Sequence, residues 1–262
     1  MKKHNNIKLC VFDIDGTLKE KGKPVGQNVI RWINTLQAKG VRFTVATGRG
    51  FPTAIEGTRP LTFNTPLIIL DGSVVVSSEK KVIARYPLAD LEIRSVRDFA
   101  RENRDQILFM GFWKNTLTDL ILWTDNEYRR KITEELPTVS KTFLPTGEAV
   151  IKEALTEKPT LIFIKTRDKL PVQLHYNATY NDDTLNFIRQ GINKAHAIKI
   201  LCTELNIQPC EVAVFGDDDN DECLFTSDFG LTVFISKSES KSHISADITA
   251  MNLDDFISME VM

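Results

Sequence analysis

The amino-terminal region contains an apolar run that leads directly into two alternating aspartates, in the segment LCVFDIDGTL at residues 9–18. A run of four apolar residues, Leu9–Phe12, is typical of a strand that is buried on both faces, as the strands of a parallel sheet are. Similar runs predict further strands at Val41–Ala46, Leu67–Leu70, Val212–Phe215 and Leu231–Ile235. We therefore expect one parallel sheet built from both ends of the chain.

Helical patterns separate these strands. Between the first two runs, Val29, Ile33 and Leu36 share one helix face, and Gly40 is placed to end that helix. A second apolar stripe predicts a helix over residues 194–205. Because strand, helix and strand joined by short connections form right-handed βαβ units, the sequence predicts an α/β fold with a doubly wound, Rossmann-like parallel sheet.

The middle of the chain follows a different pattern, in which short strands, some of them alternating, are mixed with helices. The predicted strands are Ile107–Trp113, Leu120–Trp123, Thr160–Lys165 and Val172–Tyr176, and the predicted helices lie near Leu91–Glu102 and Asn126–Leu136. This pattern predicts an α+β insertion over residues 83–187. The parallel fold would then consist of residues 1–82 and 188–262.

Composition excludes several classes of protein. The 262 residues carry 33 Lys+Arg and 35 Asp+Glu, a formal charge of −2, which gives no support for a nucleic-acid or membrane-surface partner. No window approaches the roughly 20 apolar residues of a membrane span, and the apolar stretch after the basic start is too short for a secretory signal. The four cysteines form no Cys-x-x-Cys pair. We therefore expect a cytoplasmic protein with reduced thiols and no evident protein partner.

Polar clusters follow three of the predicted strands, at Asp13–Thr17, Thr47–Arg49 and Gly216–Asp221. Open parallel sheets bind ligands at the carboxyl ends of their strands, so we expect these clusters to meet at one edge. Six aspartates lie in the first and third clusters, and they would repel one another unless a cation neutralised them. Carboxylate oxygens without His or Cys favour Mg²⁺, which shares its ligand shell with phosphate.

The residue types at this edge suit phosphoryl transfer. An aspartate carboxylate can attack phosphorus, and Asp13 and Asp15 can divide the labour if only one of them binds metal through its side chain. Thr47 offers a hydroxyl and Gly48 an unobstructed backbone N–H to the phosphoryl oxygens. Lys194, at the start of a predicted helix, offers a positive charge.

In these motifs the chain resembles the haloacid dehalogenase superfamily hydrolases of the Cof type, whose core is interrupted by a large α+β cap of type IIB. The matching motifs, in the order of that family, are Asp13–Leu18, Ala46–Arg49, Gly191–Ala195 and Gly216–Asp221. The resemblance implies a catalytic core over residues 1–82 and 188–262 and a substrate-specificity cap over residues 83–187. The chain departs from the family at Asp71, where asparagine is usual.

The resemblance also implies a role for each matching residue. Asp13 would be the nucleophile, and Asp15 would be the general acid for the leaving alkoxide and then the base that activates water. The phosphoryl oxygens would be bound by Thr47, Lys194 and Asn220, next to the Gly48 N–H. The Mg²⁺ site would consist of Asp13, Asp15 through its carbonyl oxygen, Asp217 and Asp221, the last of which would also support its loop.

Together these features predict a magnesium-dependent phosphatase that hydrolyses small phosphorylated metabolites, such as sugar phosphates, through an aspartyl-phosphate intermediate. Two alternatives stay open. A phosphosugar mutase of the phosphomannomutase-like type would keep both aspartates and the cap, and would move phosphate with little net release. A receiver-like phospho-signalling module would also surround a phosphorylated aspartate with acidic residues, a hydroxyl and a lysine, although it has no need of an insertion of this size.

Overall fold

The computed structural model describes residues 6–124, 126–172, 176–181, 183–236 and 244–262. The first elements are β1 (Leu9–Phe12), α1 (Gln27–Ala38), β2 (Arg42–Val45), α2 (Phe51–Gly57), β3 (Leu67–Ile69), β4 (Val74–Val76), β5 (Val82–Arg85) and α3 (Asp90–Glu102). Next come β6 (Ile107–Trp113), β7 (Asp119–Thr124), α4 (Asn126–Glu135), β8 (Ser140–Phe143), α5 (Gly147–Glu157), β9 (Leu161–Thr166), β10 (Ala178–Asn181) and β11 (Thr184–Ile188). The last are α6 (Lys194–Leu205), β12 (Val212–Gly216), α7 (Glu222–Phe225), β13 (Leu231–Ile235), β14 (Ile248–Ala250) and α8 (Leu253–Ser258).

The chain divides into two compact units. The first comprises residues 1–47, 54–84 and 193–262, and the second comprises residues 48–53 and 85–192. Most of the second unit is therefore inserted into the chain of the first. Within the described ranges, no helix combines the length and the apolar character that crossing a membrane requires.

The first unit is built on a five-stranded parallel sheet with the strand order β14-β13-β12-β1-β2. On one face α6 packs against alternate residues of β1 and β12, where Leu9, Val11 and Val214 join Ile198 and Leu201 in a buried cluster. The other face carries a separate, aromatic layer. Because helices cover both faces, the central strands β1 and β12 carry no polar side chain. The predicted doubly wound α/β fold is confirmed.

The aromatic layer on the second face joins the sheet to α1 and α8. Phe12 and Phe215 stack at a ring-centroid distance of 4.3 Å on neighbouring strands. Trp32 of α1 meets both rings edge-on, and Phe256 of α8 packs edge-on against Phe215 and Trp32. Such edge-to-face pairs add to the apolar area that the layer buries.

One predicted member of the parallel sheet belongs elsewhere. The run at Leu67–Leu70 forms β3, which pairs antiparallel with β4 in a separate sheet of order β3-β4-β5. Among the described residues, its backbone pairing with the main sheet is one parallel bridge, between Ala46 and Ile68. The reason is local: Leu70 and Asp71 both have a φ of +52°, and Gly72 has +92°, so the chain reverses at once into β4.

The second unit contains a six-stranded sheet of order β10-β11-β9-β6-β7-β8, in which most neighbouring strands are antiparallel. Helices α3 and α5 cover one face and bury Ile93, Phe99 and Val150 against Phe112 and Ile162 of the sheet. The predicted α+β character of this insertion is confirmed. The strand predicted at Val172–Tyr176 is wrong at both ends, since Val172 and Tyr176 are outside any strand, and residues 173–175 lie outside the described part of the chain.

Candidate active site

Lys194 is the first residue of α6, and its side chain is fully buried. The helix begins here because Asn193 caps it: its Oδ1 accepts a hydrogen bond from the backbone N–H of His196 at 2.8 Å. Gly72 packs directly on this cap, since a Cβ at Gly72 would stand 2.2 Å from the Asn193 carbonyl oxygen. This packing holds the start of α6, and with it Lys194, in one position.

The Lys194 ammonium donates hydrogen bonds to two carboxylates. Its Nζ is 2.7 Å from Asp13 Oδ1 and 2.6 Å from Asp221 Oδ1. Asp13 directly follows β1, and Asp221 follows β12, the neighbouring strand, so the parallel order of the sheet brings them to one edge. A fully buried lysine is tolerated here because its charge is both paired and hydrogen-bonded.

The loop after β12 is organised by the Asp221 carboxylate. Asp221 Oδ2 accepts hydrogen bonds from the backbone N–H groups of Asp217 at 3.0 Å and Asp218 at 3.4 Å. Gly216 leaves room for this carboxylate, because a Cβ at that position would stand 2.7 Å from Asp221 Oδ2. Both oxygens of Asp221 therefore have protein donors.

Asp217 faces the turn that follows β1. Thr17 Oγ1 donates a hydrogen bond to Asp217 Oδ1 at 2.7 Å. Gly16 lies against the same carboxylate, since a Cβ there would stand 2.0 Å from Asp217 Oδ2. Gly16 also has a φ of +99°, so the backbone and the packing both require glycine. The segments after β1 and β12 thus interlock around Asp217.

The charged groups shift one another's protonation. Burial is the largest cause that raises the pKa of Asp13 well above its usual range; Asp221 and Asp217 add to it, and Lys194 opposes it. Burial alone would lower the pKa of Lys194, but Asp13, Asp221 and Asp71 outweigh it and raise that pKa well above its usual value. Burial, with Asp221 next, also raises the pKa of Asp217 to about 7. The site therefore holds more negative charge than its lysine neutralises.

A cation would relieve this excess of charge. Asp13, Asp217 and Asp221 each offer a carboxylate oxygen, and these oxygens lie within 4.8 Å of one another. Oxygen donors without nitrogen or sulfur suit a hard divalent cation. These residues therefore fit the predicted metal site in donor type and in spacing.

Asp71 joins the site from the turn after β3. Its backbone N–H donates to the Thr47 carbonyl oxygen at 3.0 Å, which ties the end of β2 to this turn. Its buried carboxylate accepts a hydrogen bond from Asn220 Nδ2 at 3.5 Å. Asp71 thus links Thr47 to Asn220, and it adds a carboxylate where the resemblance leads us to expect asparagine.

The predicted site residues differ in how directly they are connected. Direct hydrogen bonds join Asp13, Lys194, Asp217 and Asp221, and Asp71 connects Thr47 with Asn220. Asp15 is partly exposed in the turn two residues beyond Asp13. Gly48 falls in the segment 48–53 of the second unit, so its part in phosphate binding stays a prediction.

Gly16 and Thr17 also belong to the site, although the sequence motifs predict no role for them. Their positions beside Asp15 were a usable signal, since every residue of a short turn at a ligand-binding edge lies near the ligand. Both residues contact Asp217, and this contact could not be predicted from the sequence because Asp217 is about 200 residues further along the chain. In the sequence, Asp71 is distinguished by its departure from the family pattern, and it too follows a buried strand.

At the carboxyl edge of the doubly wound sheet, the Asp13 carboxylate accepts a hydrogen bond from Lys194. The carboxylates of Asp217 and Asp221 lie close enough to share a cation with it. Phosphoryl transfer to an aspartate needs these groups, because the carboxylate attacks and the positive charges stabilise the phosphoryl oxygens. Fold and site together therefore indicate the class of enzymes that hydrolyse phosphate esters.

The chain belongs to the haloacid dehalogenase-like hydrolase family, whose profile matches residues 10–257. One similar protein is the 5-amino-6-(5-phospho-D-ribitylamino)uracil phosphatase of Bacillus subtilis, 24% identical over 257 residues, which covers 98% of this chain and 95% of that protein. Another is the phosphoglycolate phosphatase of Methanopyrus kandleri, 23% identical over 213 residues, which covers 81% of this chain and 78% of that protein. The predicted enzyme class, a phosphatase of this superfamily, is confirmed.

Solved structures with the same fold include phosphatases of this superfamily. One subclass IIB sugar phosphatase aligns with a TM-score of 0.75 at 17% identity and covers 97% of this chain and 100% of its own. A phosphatase of the same superfamily from Bacteroides thetaiotaomicron aligns with a TM-score of 0.74 at 17% identity and covers 98% and 96%. At such identities the likeness concerns the fold, and it confirms the predicted core with an inserted α+β unit.

Proposed function

We propose that this enzyme hydrolyses small phosphomonoesters, such as sugar phosphates, in a Mg²⁺-dependent reaction that passes through an aspartyl-phosphate, the acyl phosphate of Asp13. The observation that carries the proposal is the buried arrangement in which Lys194 bonds to both Asp13 and Asp221 while Asp217 lies beside them. A carboxylate with a lysine at hydrogen-bond distance and a cation site next to it has what a nucleophile for phosphorus requires.

In the first half-reaction, a carboxylate oxygen of Asp13 attacks phosphorus as the bond between phosphorus and the ester oxygen breaks. Asp15, two residues further in the same turn, gives its proton to the departing alkoxide. The phosphoryl group is now bonded to Asp13, and the alcohol leaves neutral.

In the second half-reaction, the ionised Asp15 takes a proton from a water molecule, which attacks phosphorus. The bond between phosphorus and the Asp13 oxygen breaks, so inorganic phosphate leaves and the Asp13 carboxylate is restored. Asp15 is protonated again and ready for the next ester.

The phosphoryl oxygens would be held by positive charge and neutral donors. Lys194 supplies the charge, and its fixed position at the start of α6 means that no reorganisation is needed during the reaction. Thr47, Gly48 and Asn220 would add hydrogen bonds. In this arrangement one N–H of the Asn220 amide is used by Asp71, and the second is available to the ligand.

The cation would be held by Asp13, Asp217 and the carbonyl oxygen of Asp15, with Asp221 beside them. Asp221 already accepts hydrogen bonds on both oxygens, which favours a role in holding the loop and Lys194 over direct ligation. Mg²⁺ would supply positive charge that stabilises the phosphoryl oxygens, because the carboxylates themselves provide none.

The inserted α+β unit would act as the cap that selects the substrate, with residues 83–187 as its predicted extent. An inserted unit of this kind can exclude water and complete a binding pocket when it closes. The related phosphatases named above act on a ribitylaminouracil phosphate and on phosphoglycolate, so both esters belong in a first substrate panel.

The test is phosphate release from a panel of small phosphomonoesters by the purified full-length enzyme. We expect release that requires Mg²⁺ and stops with EDTA. No Mg²⁺-dependent release from any ester would contradict the proposal. In parallel, a sugar monophosphate with its bisphosphate as primer would be followed for isomer formation, because isomerisation with little release would identify the mutase alternative.

A further inference from the structure

The second unit contains a cavity of about 840 Å³ that the catalytic account does not use. It opens where the last turns of α3 and the first turn of α5 lie above β6 and β7. Its volume falls within the usual range of about 300–1,000 Å³ for sites that bind small molecules.

The floor of the cavity is apolar and includes an aromatic ring. Ile107, Met110 and Ile151 line it with buried side chains, and Trp123 lines it with a side chain that is only partly buried. A flat ring would pack well on an indole beside a thioether, because both surfaces are polarisable and apolar. The floor therefore suits a ring system.

The rim of the cavity carries three arginines on one side of α3 and the turn after it. Arg97 and Arg101 are spaced i and i+4, which places them on one face of α3, and Arg104 lines the same cavity from the turn that follows the helix. Their guanidinium groups can bind a carboxylate or a phosphate through two parallel hydrogen bonds. Two acidic residues, Asp105 and Glu148, also line the cavity.

The arginines are engaged to different degrees. Arg97 bonds to its neighbour Asp98 at 2.8 Å, and Arg101 bonds to Glu148 of α5 at 2.5 Å. Among the described residues, Arg104 takes part in no ion pair. Because Arg101 and Glu148 are each more than half exposed, their pair contributes little to stability, and an incoming anion can compete for Arg101.

We infer that this cavity binds a small organic anion in which a carboxylate or a phosphate is attached to a flat ring. The anionic group bonds to Arg101 and Arg104, and the ring lies over Trp123 and Met110. Glu148 is a competitor for the same arginine, so it weakens the binding that the arginines provide. The described residues that line the cavity all belong to the second unit, and none of them is a residue of the proposed hydrolysis.

The test is calorimetric titration of the metal-free, full-length protein with 2-naphthoate. We expect one saturable site, with a dissociation constant raised about tenfold in Arg104→Gln, equivalent to about 1.4 kcal/mol, and raised further in Arg101→Gln/Arg104→Gln. Glu148→Gln should tighten binding about threefold, because it removes the competing carboxylate. Acetate, which lacks the ring, and 2-naphthylmethylammonium, which has the opposite charge, should bind more weakly.

The matched control is Arg130→Gln. Arg130 is an exposed arginine on α4 that is paired with Glu134 at 2.8 Å and lies outside the cavity lining. Its substitution should leave naphthoate binding unchanged. No saturable binding, equal affinity in Arg104→Gln and wild type, or a preference for the ammonium compound would overturn the inference. Because Arg104 is exposed and makes no ion pair among the described residues, the single variant should fold, which its melting temperature checks.

Discussion

At the scale of one residue, Lys194 is a charged side chain that is fully buried and stabilised by its carboxylate partners. Lysine is almost never fully buried unless it is paired, and Lys194 is paired twice, with Asp13 and with Asp221. Removing one carboxylate would leave Lys194 with a single buried partner, and breaking a buried ion pair costs about 3–5 kcal/mol. The same three residues are those on which the proposed chemistry depends.

Gly16 is a residue at which both the backbone conformation and the packing require glycine. Replacing it with alanine would place a Cβ 2.0 Å from Asp217 Oδ2, so the Asp217 carboxylate would have to move. We expect Gly16→Ala to lower Mg²⁺-dependent turnover by about 10- to 100-fold, the size of effect seen when the groups that position a metal's ligands are disturbed. Steady-state kinetics over a range of Mg²⁺ concentrations would measure it.

Gly22→Ala is the control for the backbone conformation. Gly22 also has a positive φ, +72°, but nothing lies within 4 Å of the position its Cβ would take. This variant should lose about 1 kcal/mol of stability from strain and keep its turnover. Equal losses of turnover in the two variants would refute the argument from the Asp217 contact.

At the scale of an element, α6 matters because its first residue is Lys194. The helix starts where Asn193 caps it, and the same residue packs on Gly72, so the position of the lysine depends on the cap. Asn193→Ala should lower the free energy of unfolding by about 1 kcal/mol, and it should also lower kcat about tenfold as Lys194 shifts. Chemical denaturation and kinetics would measure the two effects.

Asn252 provides a matched comparison, since its side chain caps α8 by accepting a hydrogen bond from the Asp255 N–H at 2.9 Å. Asn252→Ala should cost similar stability without a change in kcat, because α8 carries no residue of the site. If Asn193→Ala lost stability and retained full kcat, the link between the cap and the lysine would be wrong.

The elements that could be predicted from the sequence are those with a strong local pattern. The bounds of β1, β6, β13 and α6 agree with the structure, because a continuous apolar run or a helical stripe is bounded by polar or capping residues. Strand β14 has three residues, too few to establish a period. The hairpin of β10 and β11 mixes polar and apolar residues, so its sequence pattern does not predict strands. Its strands form because β11 pairs with β9.

At the scale of the whole molecule, topology accounts for how much of the site could be predicted. Residues that follow neighbouring parallel strands must meet at one edge, and this rule correctly joined Asp13 with Asp217 and Asp221. The hydrogen bond from Lys194 to Asp221 and the contact of Asp71 with Asn220 could not be predicted, because they depend on side-chain positions that no spacing encodes.

The stability of the whole chain should depend on pH through these carboxylates. The pKa of Asp217 rises from its ordinary value of 3.8 to about 7, so between these values the folded, metal-free protein binds more protons than the unfolded chain. This group's contribution to stability is therefore lost as the pH rises through that window. Since a cation needs the ionised carboxylate, Mg²⁺ should raise the melting temperature more at about pH 8 than at about pH 5.

Differential scanning calorimetry with Mg²⁺ and with EDTA at the two pH values would measure this difference. In Asp217→Asn the gain from Mg²⁺ should be small at both pH values, because the titrating ligand is gone. An equal gain at both pH values in the wild type would show that Asp217 does not govern cation binding.

The most direct measurement is the turnover of Asp13→Asn, with Asp219→Asn as its control. Both variants remove one acidic charge, but Asp219 is exposed in the loop after β12, whereas Asp13 is buried against Lys194. With the best ester of the panel and saturating Mg²⁺, we expect Asp13→Asn to release no phosphate above background and Asp219→Asn to retain most of the wild-type rate. Phosphate release by a folded Asp13→Asn at the wild-type rate would contradict the assignment of Asp13 as the nucleophile.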